Sequence, residues 1–322
     1  MKLASPPLGD GGKKDRIMAS YYNENTIIFL NGEFVKAAEA KMDLYSQSLH
    51  YGLSVFEGIR AYKTVNGDTR IFKELEHFNR LQASAEAMNM PYPWKTNELI
   101  AATYEVLRRN NFQDAYIRPI VYGPANMSFA LNTESFIAIQ TWEMQPFLGE
   151  KLLRIMTSSF QRPNPKGFKI HAKAGGHYVN SIMASQEAKA KGYDEALLND
   201  MHGYVAEGPG ANVFFEKDGK LFTPSLGNIL PGITRSAVIE ICKELGIEVK
   251  EKLFTTEDIK GADAAFFCGT AAEVIGWESL DGVKFKREWN DSLSRLVQLA
   301  FKNRVVEKSI EEFKLQRVEA LV

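Results

Sequence analysis

Apolar positions along this chain repeat with two different periods. Short runs of alternating character, TIIFLNGEFV and FEGIRAYKTVNGDTRIF, are interrupted by Asn31-Gly32 and Asn66-Gly67, pairs that favour tight hairpin turns. Helical spacing follows. Residues 73–88 place Leu75, Phe78, Leu81 and Ala85 on one face, and residues 97–110 do the same with Leu99, Ile100, Thr103, Val106 and Leu107. AYIRPIVYG and SFIAIQTWE then read as strands. EMQPFLGE, residues 143–150, breaks the pattern with Pro146 and Gly149, and KLLRIMTSS opens a new strand.

Beyond the break the pattern predicts a helix at about 179–191, strands EALLND and YVAEG, and a hairpin at Asp218-Gly219 between NVFFEK and KLFTPS. TRSAVIEICKELG reads as a helix closed by Gly246, and TTEDI as a capping box pairing Thr255 with Asp258. Strands AAFFCG and EVIGWESL follow, then an amphipathic helix from about Asp291 to Phe301. The expected layout is a small α+β domain over 21–144, a linker at 145–150 and a larger mixed β/α domain over 151–322. The first twenty residues, rich in Pro, Gly and Lys and without the apolar stretch of a signal peptide, read as a flexible tail.

Totals narrow the function classes. A length of 322 residues suits two cores, since single domains run to ~100–200 residues. With 39 basic and 40 acidic residues the net charge is -1, which argues against a nucleic-acid or acidic-lipid partner. No apolar run approaches the ~20 residues that span a bilayer. Cys242 and Cys268 form no CxxC, and the five histidines are scattered. A disulfide scaffold and a metal site are therefore not expected, and a reducing, cytoplasmic compartment is.

Six stretches could carry chemistry. In HAKAGGHYVNS, Lys173 lies among small residues, with Gly175 and Gly176 loosening the backbone. Its bland reading is a solvated turn lysine. The functional one is a Schiff-base amine, made neutral by desolvation. Glu207, before the Gly208-Pro209-Gly210 turn, is an unremarkable carboxylate or the acid partner of a pyridine nitrogen. LPGITR starts a helix at Ile233 and Thr234, and GTAA ends a strand at Gly269, Thr270 and Ala271; both can be routine caps or anion nests. Arg60, on an apolar strand, matches an anion such as phosphate. Tyr116 and Arg118 alternate in AYIRP and so share a strand face, which an ordinary edge strand could turn to water.

Taken together and in order, HYGxSVFEGIR, YIRP, AKAGGxY, EGxGxN, LPGITR and GTAAE closely resemble the branched-chain amino acid aminotransferases, class IV pyridoxal-phosphate enzymes of fold type IV. The resemblance runs from about residue 24 to the final helix. It implies that Lys173 attaches the cofactor, Glu207 contacts the pyridine nitrogen and Tyr178 bonds the phenolic oxygen. It implies phosphate contacts from Arg60, Ile233, Thr234 and Thr270, with Leu230 packed on the ring and Gly232 and Gly269 also at the cofactor. Tyr116 and the amides of Thr270 and Ala271 would receive the substrate carboxylate, supported by Arg118. Phe56, with Tyr51 of a neighbouring subunit and the loop bearing Phe129, would line the side-chain pocket of a homodimer. The implied reaction exchanges an amino group between L-leucine, L-isoleucine or L-valine and 2-oxoglutarate. Where the family usually has other residues this chain has His177, Ala211, Met127 and Phe129, which bear on specificity rather than chemistry. Within the same fold, a D-amino acid transaminase or an aminodeoxychorismate lyase is the alternative, disfavoured by YIRP and AKAGG. A non-enzymatic phosphate-binding module would not need both Lys173 and Glu207, and six intact motifs argue against a protein that has lost catalysis.

Overall fold

The structure, a computed structural model, describes residues 21–143, 148 and 151–308. The expected tail and nearly all of the expected linker lie outside these residues.

The first half forms a seven-stranded antiparallel sheet. Its strands are β1 (Ile27–Leu30), β2 (Glu33–Lys36), β3 (Ser54–Phe56), β4 (Ile59–Lys63), β5 (Thr69–Ile71), β6 (Ala115–Tyr122) and β7 (Phe136–Trp142). They run in the order β2-β1-β7-β6-β4-β5, with β3 also on β6. Asn31 (φ 51°) and Gly32 (φ 99°) make the β1–β2 turn in the left-handed geometry that Asn-Gly favours. After a short helix α1 (Gln47–Tyr51), helices α2 (Glu74–Ala87) and α3 (Thr96–Arg109) cover one sheet face. Val55, Ile59, Ile117, Val121 and Ile137 point into that core with Phe78, Leu81, Val106 and Leu107, all at most 2% exposed. Leu75, expected on the buried face of α2, is exposed, and His77 and Ser84 turn inward instead. β6 is a central strand, not the edge of the bland reading, and Tyr116 is buried on it.

The second half forms a nine-stranded mixed sheet. Its strands are β8 (Leu153–Gln161), β9 (Glu195–Asn199), β10 (Val205–Glu207), β11 (Asn212–Lys217), β12 (Lys220–Thr223), β13 (Val249–Glu251), β14 (Ala264–Gly269), β15 (Glu273–Leu280) and β16 (Val283–Lys284). The order is β10-β9-β8-β15-β14-β11-β12-β13, with β16 on β15; β8–β9, β8–β15 and β12–β13 are parallel. Helices α4 (Tyr178–Ala190), α5 (Ile233–Glu244), α6 (Thr256–Lys260) and α7 (Leu293–Val305) pack around it. β11 and β14 carry apolar residues on both faces because both faces are covered. Phe214 and Phe266, paired across these strands, stack at 5.1 Å under α5 and α7, while Phe215 and Phe267 fill the opposite face. Fully burying such a ring stabilises by about 1.5–3 kcal/mol. The predicted capping box forms, with the Thr255 amide donating to Asp258 at 2.8 Å.

Candidate active site

Lys173 lies between β8 and α4, yet the first sheet holds it. The Phe56 amide donates to the Lys173 carbonyl (3.0 Å), the Lys173 amide donates to Ser84 Oγ of α2 (3.0 Å), and Val55 bridges to Ala174. The two following glycines serve this approach rather than backbone freedom. A Cβ on Gly175 would stand 2.3 Å from Ser54 Oγ, and one on Gly176 would stand 3.2 Å from the Gly52 carbonyl, which accepts the Gly176 amide at 3.0 Å. At the end of this tether Lys173 Nζ donates to Tyr178 Oη (2.7 Å) and lies 5.1 Å from the Phe56 ring and 5.3 Å from the Tyr178 ring. Those two rings are themselves 4.9 Å apart, so the amine emerges through an aromatic collar.

Across a cleft from the amine stands Glu207, 5% exposed. Its carboxylate accepts from Asn212 Nδ2 (3.0 Å) and from the Leu230 amide (3.2 Å to each oxygen). Arg162 Nε lies 2.8 Å from Oε1, but its N–H is not aimed at the oxygen, so the contact is an ion pair without a hydrogen bond. Burial pushes the Glu207 carboxyl up from its ordinary value, against the pull of Arg162. Asn212 also donates to the Leu230 carbonyl (3.0 Å), and its Oδ1 would lie 1.9 Å from a Cβ at Gly232. Only glycine fits there, directly before α5.

The third wall is suited to an anion. No side chain caps α5, and Ile233 and Thr234 of its first turn line the cleft beside Gly269 and Thr270 at the end of β14. Unsatisfied amides at a helix start attract negative charge. Arg80 of α2 reaches the same wall, donating through Nη1 to the Pro231 carbonyl (2.8 Å). It is gripped by Glu57, which accepts from Arg80 Nε (2.7 Å), Arg80 Nη2 (2.8 Å) and His77 Nδ1 (2.7 Å).

The cleft therefore brings together Lys173, Tyr178, Glu207, Leu230, Gly232, Ile233, Thr234, Gly269 and Thr270, with His177 and Ala211 also on its walls. His177 is buried edge-on against Phe168 (5.3 Å), and burial lowers its pKa. Arg60 is not in this lining. Its Nη1 donates to Glu273 at 2.7 Å, and Tyr62 Oη donates to the same oxygen at 2.9 Å. The cleft arginines are Arg80 and Arg162, neither of which the motifs singled out. Arg80 had a local signal: it lies one turn from His77 on the inward side of α2.

The remaining expected residues occupy two places. Phe56 of the Lys173 collar, Tyr116 and Arg118 form a platform on the face of the first sheet turned away from α2 and α3. The Arg118 guanidinium lies 4.5 Å over Phe56, and its Nη2 donates to Tyr116 Oη (3.0 Å). Ala271 follows Thr270 in the β14–β15 turn and is half-buried. Tyr51 and Phe129, 48% and 90% exposed, lie 5.5 Å apart on the surface beside exposed Met127 and do not line the cleft of their own chain. Among the described residues no group of three His, Cys, Asp or Glu side chains could hold a metal ion, and no helix is long and apolar enough to cross a membrane.

A tethered amine, a buried acid and an anion-binding helix start, facing one another across one cleft, are suited to a carbonyl cofactor that carries a phosphate. The chain belongs to the class IV amino-transferases, whose family model it matches over residues 54–280. Within that family it resembles the branched-chain-amino-acid aminotransferases. It is 40% identical to that of Escherichia coli K12 over 284 residues (85% of this chain, 91% of the relative) and 39% identical to that of Pseudomonas aeruginosa PAO1 over 288 residues (88% and 94%). Among solved structures, the Thermoproteus uzoniensis branched-chain aminotransferase with norvaline superposes with a TM-score of 0.84 at 37% identity, covering 88% of this chain and 96% of that one. Structures of a T.th. branched-chain aminotransferase match at 38% identity and TM-score 0.83, covering 89% and 96%; one is complexed with N-(5'-phosphopyridoxyl)-L-glutamate and another with 4-methylvaleric acid.

Proposed function

We propose that this protein is a pyridoxal-phosphate-dependent aminotransferase that exchanges the amino group of L-leucine, L-isoleucine or L-valine with 2-oxoglutarate. The observation that carries the reading is the meeting of Lys173, Glu207 and the start of α5 in one cleft. The residues present fit the cofactor. Glu207 is a buried carboxylate whose negative form burial disfavours, and a cationic ring nitrogen would compensate it. The glycine at 232 makes room for the Asn212 side chain that holds Glu207, and the uncapped amides that follow at the start of α5 suit the cofactor's phosphate.

When bound, pyridoxal phosphate supplies an aldehyde that takes up the amino group and a protonated ring that withdraws electrons as the α-proton departs. Lys173 holds the aldehyde between turnovers. Its Nζ, when free, would be the base that takes up the α-proton and the acid that gives it back, acid–base work by one positioned amine. Tyr178 Oη, 2.7 Å away, orients that amine and bonds the phenolic oxygen. Glu207 keeps the ring nitrogen protonated, and Arg162, Asn212 and the Leu230 amide hold Glu207 in place. Ile233, Thr234, Thr270 and Arg80 take the phosphate. Tyr116, with the Thr270 and Ala271 amides, receives the substrate carboxylate, and Phe56 walls the side-chain pocket.

The exposed Tyr51, Met127 and Phe129 support a homodimer in which this cluster closes the partner's pocket, since an apolar surface patch of this kind favours burial. Two free, buried cysteines suit a reducing compartment such as the cytoplasm. The test is the visible spectrum of the purified protein. An absorbance that bleaches with L-leucine and returns with 2-oxoglutarate is expected. A colourless protein that transfers no amino group refutes the reading.

A further inference from the structure

The β14–β15 hairpin pairs Gly269 with Glu273 around a turn of three residues, Thr270, Ala271 and Ala272. Glu273 closes that turn with φ +53°, the left-handed region that glycine enters without steric cost and glutamate avoids. Hairpins of this length prefer glycine at such a corner. This chain has a glutamate at that corner, and its side chain is engaged. That side chain crosses to the first sheet, where its Oε1 accepts from Arg60 Nη1 (2.7 Å) and Tyr62 Oη (2.9 Å), with the guanidinium 4.8 Å over the Tyr62 ring. Arg60 stands directly opposite Tyr116 in the β4–β6 register, and Tyr116 Oη accepts from Arg118.

The two groups assigned above to the substrate carboxylate thus lie on different sheets: Tyr116 on the first, the Thr270 and Ala271 amides on the second. Glu273 is continuous with the turn and ion-paired to the strand beside Tyr116. We propose that Glu273 is a positioning residue that sets the gap between the Thr270–Ala271 turn and the Tyr116–Arg118 pair, so that an α-carboxylate fits between them. By neutralising Arg60 it also leaves recognition of that carboxylate to Tyr116, Arg118 and the turn amides. This inference rests on the aminotransferase reading.

The test uses the holoenzyme, with Glu273→Gly and Glu273→Gln. Glycine relieves the backbone and removes the carboxylate; glutamine keeps the volume and one acceptor but no charge. In Glu273→Gly the expected result is an unchanged resting absorbance, with KM for L-leucine and 2-oxoglutarate raised about tenfold or more and kcat changed less than about threefold. Calorimetric binding of 4-methylvaleric acid, which has the carboxylate but no amine to react, should weaken by a similar factor. Glu273→Gln should fall between wild type and Glu273→Gly, and it carries the test alone if the glycine variant does not fold. Wild-type KM and wild-type affinity for 4-methylvaleric acid in either folded variant overturn the proposal, as does loss of cofactor absorbance with unchanged affinity for the acid. Failure of the underlying function would show instead in the unsubstituted enzyme, as absent absorbance or absent amino transfer.

Discussion

Glu57→Gln tests the electrostatic anchor behind the cleft. Glu57 is fully buried, and its carboxyl is lowered from an ordinary 4.5 to about 2: burial raises it, but Arg80 and then His77 outweigh burial. Burial also lowers the His77 pKa, so that ring is neutral at pH 7 and must carry its proton on Nδ1 to donate to the carboxylate; Arg80 is then the one cation of the cluster. The drop from 4.5 to about 2, at ~1.4 kcal/mol per pH unit, amounts to about 3 kcal/mol of stability held by the ionised form. That agrees with the ~3–5 kcal/mol typical of breaking a buried pair from one side. A carboxyl lowered by folding contributes its stability above the unfolded-state value and loses it as pH falls through the folded-state value. The contribution should thus be complete above about pH 4.5 and vanish towards about pH 2. Urea unfolding of wild type and variant across this range should show a gap of about 3 kcal/mol at neutral pH that closes as the solution is acidified. A gap of constant size down to about pH 3 would refute the reasoning, because it would assign the loss to packing rather than charge. With Arg80 less firmly held, the variant should also bind pyridoxal phosphate more weakly.

Lys173→Ala should abolish turnover and bind cofactor only noncovalently; borohydride reduction of the wild type should label the peptide 171–181, and a label elsewhere refutes the assignment. Glu207→Gln should retain fold and cofactor but slow single-turnover proton transfer, because a neutral ring withdraws electrons poorly; an unchanged rate refutes its role. Leucine, isoleucine and valine should be accepted within roughly 10–200-fold of one another, since a methylene is worth ~1–3 kcal/mol, and D-alanine should be poor. Exchanging Phe129 for glycine and Met127 for a smaller aliphatic residue should widen acceptance of L-phenylalanine; no change in the donor profile would remove the surface loop from the pocket.

What the sequence made legible was local. Asn31-Gly32 and Asp218-Gly219 declare their hairpins within two residues, and the Thr255–Asp258 box announces α6, because turn geometry and capping act over three or four positions. The lysine and the acid were legible because their small neighbours are unusual. Long-range pairings were not. Arg162 meets Glu207 from 45 positions away, and Glu57 meets Arg80 across 23. Arg60 suggested an anion ligand because its own strand offers no acid; the sequence did not disclose that Glu273, 213 residues on, engages its Nη1. The glycines after Lys173 suggested backbone freedom, but what constrains them is Ser54 and Gly52, more than a hundred positions earlier.

The bonds that tether the lysine stretch to β3 form a seam owned by neither sheet. The Phe56 and Gly176 amides each donate across it, to the Lys173 and Gly52 carbonyls. Their hydrogen exchange therefore requires the halves to part there, while the neighbouring amides of β6 and β7 exchange only when the first sheet itself opens. Protection at these two positions measures how often the catalytic amine is detached from its scaffold in an otherwise folded chain. It gives assembly of the site a free energy of its own, distinct from the stability of the parts assembled.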